Sequence, residues 1–547
     1  MAPRIENLPL SSRRGSSHCQ LSTFATRDVD DVRGFLDTDK AWETINRDWK
    51  PHPNATAAMQ SPSSATLWNV LGSLKPLLLW PKSCRISGAG DGSGSANGTD
   101  AGDDGQPEKT TQLRPTAYLD GLRGFAAFLV YWHHHELWAH PLEQHDILES
   151  GFGHDDKHYF VAYPFIRNFF GGGHFAVSTF FVISGYVLSS KPLSLIHAGE
   201  QAKLADNLGS ALFRRWMRLY IPIICTTFIY MTLLQLFNPW MENVTLQSNY
   251  RDELWHWYAE FKNFSFIFNT SGELGMSYNF HLWSIPVEFR GSIVVYTALL
   301  AMARCTRNAR LLLHVVLVYY LLYIADGSHF AMFAAGMLLC DLDLLAAKDE
   351  LPSFLARLEP YKTIIYYHFL VISLYLGGVP SHTADVKDLA PNRGWYLLSY
   401  LKPQAVFDYK WFYLFWAAVL LVASTPRISW LKRFFETRFC QYLGRISYSL
   451  YLVHGPILWT IGERIYTAVG FAKKEQLKNI PGWVNRFPLS MAGPFGCEVA
   501  FFLPHLIQLP LTLYCAELVT RAFDEPSVKF PQWLYKRTVA KQVRLPA

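Results

Sequence analysis

The sequence predicts an all-α fold, a polytopic membrane helix bundle of about ten transmembrane spans behind a disordered N-terminal tail. Three observations predict it. Charged residues make up only 17% of the 547 residues, against roughly 25% in soluble domains. Apolar stretches recur from Tyr118 almost to the C-terminus, and a helix needs about 17–20 such residues to cross a bilayer. The 18 Trp and 28 Tyr suit a chain with two membrane interfaces, where rings that are apolar at one end and polar at the other collect.

Residues 1–114 are rich in Ser, Asp and Arg, with a Gly/Ser/Asp tract over 88–105. That composition cannot bury a core and reads as a low-complexity cytosolic tail. Its one apolar island, Leu67–Trp80, is too short to span and contains Pro76, so it predicts an interfacial helix. Met1–Arg14 is polar and resembles no signal peptide. The membrane domain is placed at 115–530, followed by a cytosolic tail at 531–547. Its spans are predicted at 118–137, 173–190, 219–237, 281–303, 310–326, 328–345, 362–379, 409–424, 445–462 and 493–520.

Loop charges predict the orientation. With both termini cytosolic, the cytosolic loops carry Lys191, Lys203, Arg214, Arg215 and Arg218, then Arg304, Arg307 and Arg310, then Arg427, Lys432, Arg433 and Arg438, as the positive-inside rule requires. The loop 238–279 falls on the other side and holds three Asn-x-Ser/Thr sequons, at Asn243, Asn263 and Asn269, which fits glycosylation there. The loop 463–492 breaks the pattern, with Arg464, Lys473, Lys474, Lys478 and Arg486 on the outside. The chain is expected in the endomembrane system or the plasma membrane.

Ionisable groups inside apolar spans are costly and mark function. Arg123 and His134 lie in one such span, Tyr118–Trp138, with His133 and His135 flanking His134. Eleven positions are close to three turns, so Arg123 and His134 share a helix face about 16 Å apart, and His133 and His135 point about 100° to either side. Arg214, Arg215 and Arg218 cluster at the mouth of the third span and suit a bidentate grip on phosphate. His281 and Glu288 stand two turns apart on one face of an apolar segment. Ser178, Ser184 and Gly185 allow close helix packing. Tyr448, Tyr451 and His454 fall in GRISYSLYLVHGP; they read first as interfacial or packing residues, with Tyr448 kept as a further candidate.

The net charge of +6 is spread between apolar spans, which argues against nucleic acid as partner. Eight scattered Cys show no paired spacing, so neither disulfides nor a zinc site is expected. No carboxylate spacing accompanies the His cluster, and no metal is expected there. None of the 19 His is followed five residues later by Asp, and no Gly-x-Ser-x-Gly elbow occurs, which removes two soluble hydrolase or acyltransferase readings.

These stretches together resemble the acyltransferase 3 family, the multi-span membrane O-acyltransferases. The resemblance rests on LDGLRGFAAFLVYWHH, FFVISGY, RRWMRLYIP, HLWSIPVE, GRISYSLYLVHGP and the DEP of Asp524–Pro526, in the family's order across about 410 residues. It implies transfer of an acyl group, often acetyl, from cytosolic acyl-CoA to a hydroxyl of a small molecule or sugar. The family's Arg, ten residues, His arrangement falls on Arg123 and His134. After HLWSIPVE this chain continues Phe289-Arg290-Gly291, where the family usually has another acid and an aromatic.

The residues fit that implication. His134 is the candidate base for the incoming hydroxyl, since neutral imidazole takes a proton near physiological pH. Arg214, Arg215 and Arg218 are candidates for the donor's phosphates. Arg123 could guide the pantetheine arm or stabilise developing charge. Glu288 could orient an imidazole or pair with an Arg. His133, His281, Ser184 and Tyr448 are further candidates. Acyl-CoA would be a co-substrate, with no permanently bound cofactor; membrane lipid and a hydroxyl-bearing acceptor are the other partners. The competing reading is a transporter whose path is lined by Arg, His and Glu, but the chain shows no internal repeat of the kind transporters carry.

Overall fold

A computed structural model describes residues 113–140, 149–268 and 275–539. The tail, the island Leu67–Trp80, Asn269 and residues 540–547 lie outside the described residues. Among those described, every regular element is helical. The principal helices are α1 (Ala117–Ala139), α2 (Gly173–His197), α3 (Gln201–Phe237), α4 (Tyr250–Ser265), α5 (Ser284–Ala301), α6 (Arg307–Tyr319) and α7 (Ser328–Ala346). They continue with α8 (Lys362–Gly377), α9 (Tyr409–Ser424), α10 (Ser429–Phe435), α11 (Arg438–Ile457), α12 (Glu463–Val469), α13 (His505–Val519) and α14 (Glu525–Thr538).

Each predicted span overlaps a helix, though the one at 493–520 begins in irregular chain; among the described residues six helices, rather than ten, are long and apolar enough to cross a membrane. A bent pair, Tyr409–Arg427 with Ser429–Phe435, makes seven if it is one span. The shortfall has a physical reason. α8 has only 16 residues. α1 and α11 are long enough, but they carry Asp120, Arg123, Glu136 and three His, and Arg438, Gln441, Arg445 and His454 respectively. Both are largely buried, packed on each other inside the bundle. Those charged and polar side chains lower the mean hydropathy of both helices. α3 also begins 18 residues before the span predicted at 219, because its first turns are amphipathic, with Leu204 and Leu208 buried among polar neighbours.

Glycines set the closest helix approaches. α1 meets α11 where Gly124 lies on the backbone of Leu443 and Gly444, and Gly444 lies on the carbonyl of Asp120. α2 meets α7 reciprocally: a methyl at Gly185 would overlap the Phe333 carbonyl, and one at Gly336 would overlap the Val182 carbonyl. Small residues let backbones touch in this way where no water-driven burial holds helices together.

α1 therefore gives the bundle two ends. Arg123 and Asp120 stand at its start, and its histidines stand near its finish. At the finish, His140 is buried between Glu136 and Glu498, 3.2 and 3.1 Å away. Burial penalises the charged ring, but the hydrogen bonds and charges of the two carboxylates outweigh it and hold the His140 pKa up at about 9. Two basic residues that break the loop-charge pattern are neutralised in place. Arg464 pairs with Glu463, and Lys473 lies 3.5 Å from Glu242 and over the ring of Trp138.

Candidate active site

A cavity of about 190 Å³ opens among α1, α2, α3, α5, α11 and the turn before α14. Arg123, Arg215, Arg218 and Arg445 line it, with Glu288 and Asp524 as the acids and Phe180, Phe181, Ile183, Leu188, Leu219 and Ile285 as apolar walls. Asp524 is presented by a π-helical turn, Thr520–Asp524, that interrupts the run from α13 to α14; such turns often appear at functional sites.

The arginines differ in their surroundings. Arg215 is buried, donates to Ser292 Oγ at 2.8 Å and pairs with Glu288. Glu288 thus takes the second of its two expected parts, pairing with an Arg. Arg123 donates to Ser447 Oγ at 3.1 Å and to the Gly444 carbonyl at 3.2 Å. The Arg218 guanidinium has no hydrogen bond or ion pair to a described residue and faces Asp524 and Arg123 across the cavity. Arg214 points elsewhere: its Nε donates to Ser210 O on its own helix, and it is not on the cavity wall. Ser184 and Tyr448 both line the cavity, Tyr448 donating to the Leu219 carbonyl.

The cavity floor is made by Tyr451 and Ser284, whose hydroxyls are 2.8 Å apart. The imidazoles lie beyond it. The three adjacent histidines diverge as the helix demands. His133 turns to α2, against Gly173 and with its ring 5.7 Å from that of His174. His135 turns to the other side, its Nδ1 2.9 Å from the Tyr466 hydroxyl. His134, the least buried of the three, turns to His281 and His454. Its ring centroid is 3.9 Å from that of His281 and 5.0 Å from that of His454. Its Nδ1 lies 3.0 Å from His454 Nε2.

α11 builds this cluster. Pro456 has no N–H, so the Leu452 carbonyl lacks its helical donor; Asn279 Nδ2 supplies one at 2.9 Å. The Tyr451 hydroxyl donates to the His281 carbonyl. Gly455 leaves room for the His281 ring directly against the helix. These three features seat the turn Phe280–Trp283 on α11 and put His281 beside His454. His281 and Glu288, grouped in the sequence by their two-turn spacing, are separated here: His281 precedes α5 in a 3₁₀ turn among the imidazoles, and Glu288 lies within α5 on the cavity wall.

One nitrogen from each of His134, His281 and His454 lies within 4.8 Å of the others, so the cluster could hold a metal ion. Zinc bonded at about 2.0–2.1 Å would set tetrahedral ligand nitrogens about 3.3 Å apart, inside the 4.8 Å that bounds this group. No spacing along the chain announced this group, because its donors come from three separate elements. In the sequence His454 reads first as an interfacial or packing residue, with Tyr448 and Tyr451.

Asn243 and Asn263 are both exposed, Asn243 also lining a small pocket beside His281 at the histidine end.

Comparison with known proteins identifies the family. The family model described as an acyltransferase domain matches residues 116–499. The O-acetyltransferase PaAT-1 of Phomopsis amygdali is 30% identical over 472 residues, covering 78% of this chain and 85% of that protein. The acyltransferase R4 of a Phoma species is 22% identical over 497 residues, 78% of this chain and 97% of its own. The acyltransferase clz18 of Cochliobolus lunatus is 22% identical over 426 residues, 65% of this chain and 85% of its own. No solved structure matches. With its family model spanning the helices that carry both the arginines and the imidazoles, this chain belongs to the acyltransferase 3 family and is an acyltransferase.

Proposed function

We propose that the enzyme moves an acyl group, acetyl in the first instance, from acyl-CoA to a hydroxyl of a small metabolite or carbohydrate. One observation carries the reading: an arginine-lined cavity containing an uncommitted guanidinium, Arg218, ends one layer short of a three-imidazole cluster. An anionic donor and a proton-accepting base are the two needs of acyl transfer. The name of the Phomopsis relative, an O-acetyltransferase, supports an oxygen acceptor and an acetyl group.

In this reading the arginine end faces the cytosol, and Arg218 and Arg123 receive the donor's phosphates at the cavity mouth, Arg445 being already paired with Glu517 and Glu525. Arg215, already paired with Glu288, shapes the wall. A volume of about 190 Å³ suits the acyl end of a pantetheine arm, so the nucleotide stays at the mouth. To reach His134 the thioester passes Tyr451 and Ser284, whose hydroxyls lie 2.8 Å apart between the cavity and the imidazoles. His134 takes the proton of the acceptor hydroxyl as its oxygen bonds to the thioester carbonyl carbon. The C–S bond then breaks, and the sulfur leaves with that proton as the CoA thiol. Asn243, Asn263 and Asn269 would be glycosylated on the opposite side.

The test is incubation of membranes with radiolabelled acetyl-CoA and a pool of hydroxyl metabolites, followed by identification of the labelled product. His134→Ala should abolish labelling while expression and membrane insertion persist. Labelling by that variant at the wild-type rate would remove His134 from the reaction.

A further inference from the structure

His454 has a ring geometry that dictates where protons sit. Its Nδ1 lies 2.8 Å from the Tyr451 carbonyl and 3.2 Å from the Leu450 carbonyl. Carbonyl oxygens only accept, so this nitrogen carries a hydrogen. A neutral imidazole has one N–H, and His454 Nε2 is therefore a bare acceptor. His134 Nδ1 stands 3.0 Å from it. Two lone pairs do not meet at that distance, so His134 Nδ1 carries the hydrogen between them. The same one-hydrogen rule then leaves His134 Nε2 bare. That atom has no hydrogen-bond partner among the described residues, and the His134 side chain keeps accessible surface.

We infer that His454 is a positioning residue that holds His134 in the tautomer whose Nε2 can accept a proton. The inference rests on His134 acting as the base. The relay begins in the α11 backbone: the Leu450 and Tyr451 carbonyls set His454, and His454 sets His134. A partner that fixes ring orientation and tautomer in this way does for a base what second-shell groups do for metal-bound histidines. It also explains an imidazole deep in a helix that makes no ion pair, in a cluster with His281 and no carboxylate.

The test uses the full-length chain in lipid bilayers with ¹⁵N-labelled histidine, the His134 signals being assigned by their loss in His134→Gln. Wild type should show a protonated Nδ1 and bare Nε2 at His134, and His454→Leu should lose that preference. His454→Leu should lower kcat for transfer from radiolabelled acetyl-CoA to the metabolite pool by about 10–100-fold with the donor KM unchanged. His454→Gln, whose amide can accept from His134 and donate to the backbone, should recover most of that loss; a purely structural role would not separate Gln from Leu by rate at equal folded yield. Wild-type His134 protonated at Nε2 would overturn the proposal, even if His454→Leu failed to fold. So would wild-type turnover by His454→Leu, or one equivalent of zinc in the purified wild-type protein that His454→Leu lacks, since a metal would then stand where the proton is placed. Activity retained by His134→Gln would instead overturn the base assignment itself.

Discussion

Arg214 and Arg218 are one turn apart on α3, yet the fold gives them unlike surroundings. Arg214 is spent on its own helix at Ser210 O, whereas Arg218 faces the cavity without a hydrogen-bonded partner. A charge-assisted hydrogen bond to phosphate is worth about 1.5–3 kcal/mol, so Arg218→Ala should raise the donor KM about tenfold or more. Arg214→Ala should change it by less than about twofold, as for surface charges elsewhere. Steady-state kinetics at varied acetyl-CoA checks both, and equal KM values for the two variants would remove Arg218 from the donor site. The sequence could mark this trio as basic and grouped, but not divide it. Which guanidinium is neutralised depends on Glu288, 73 positions from Arg215. Likewise the divergence of His133, His134 and His135 followed from helix geometry, while their partners did not.

At the scale of the element, glycines decide how close helices come. Gly185 touches the backbone of α7 at Phe333, so Gly185→Leu should cost at least about 3 kcal/mol, the upper range of overpacking, and appear as lost folded yield. Gly209, inside α3, would have only the Tyr535 hydroxyl, at 3.9 Å, near an added methyl. Gly209→Ala should therefore raise stability by about 0.5–1 kcal/mol. Thermal melts of the purified variants in one detergent test the contrast, and similar melts for both would show that the Gly185 contact does not hold the bundle. The sequence flagged small residues in this helix through Ser178, Ser184 and Gly185, but Ser184 faces the cavity while Gly185 packs. α11 shows the same division. Its His-Gly-Pro was visible in the sequence, but that Pro456 frees a carbonyl for Asn279 needs the turn before α5 to lie against it.

Across the whole molecule, the His140 site ties the end of α1 to the segment before α13 through Glu498. Its folded pKa, about 9, lies above the ordinary value near 6.5. A raised pKa means the charged ring stabilises the fold fully below about pH 6.5 and progressively less as pH rises towards 9. Stability should therefore fall across that window, by up to about 3 kcal/mol, and His140→Gln should flatten the fall. Melting temperatures of both forms from pH 6 to 9.5 give the answer, and parallel curves would exclude His140 as the source.

The sequence by itself determined the all-helical class, the positions of the apolar helices, the family motifs and the common face of Arg123 and His134. Those are local properties, written in composition and in a period of about 3.6 residues. The tertiary structure alone decided that two of the motif helices, α1 and α11, turn their polar faces to each other inside the bundle. It also decided that Arg218 rather than Arg214 faces the cavity, and that His134 meets His454. That last pair is 320 residues apart, and only packing through Gly124 and Gly444 brings their helices close enough for one ring to address the other.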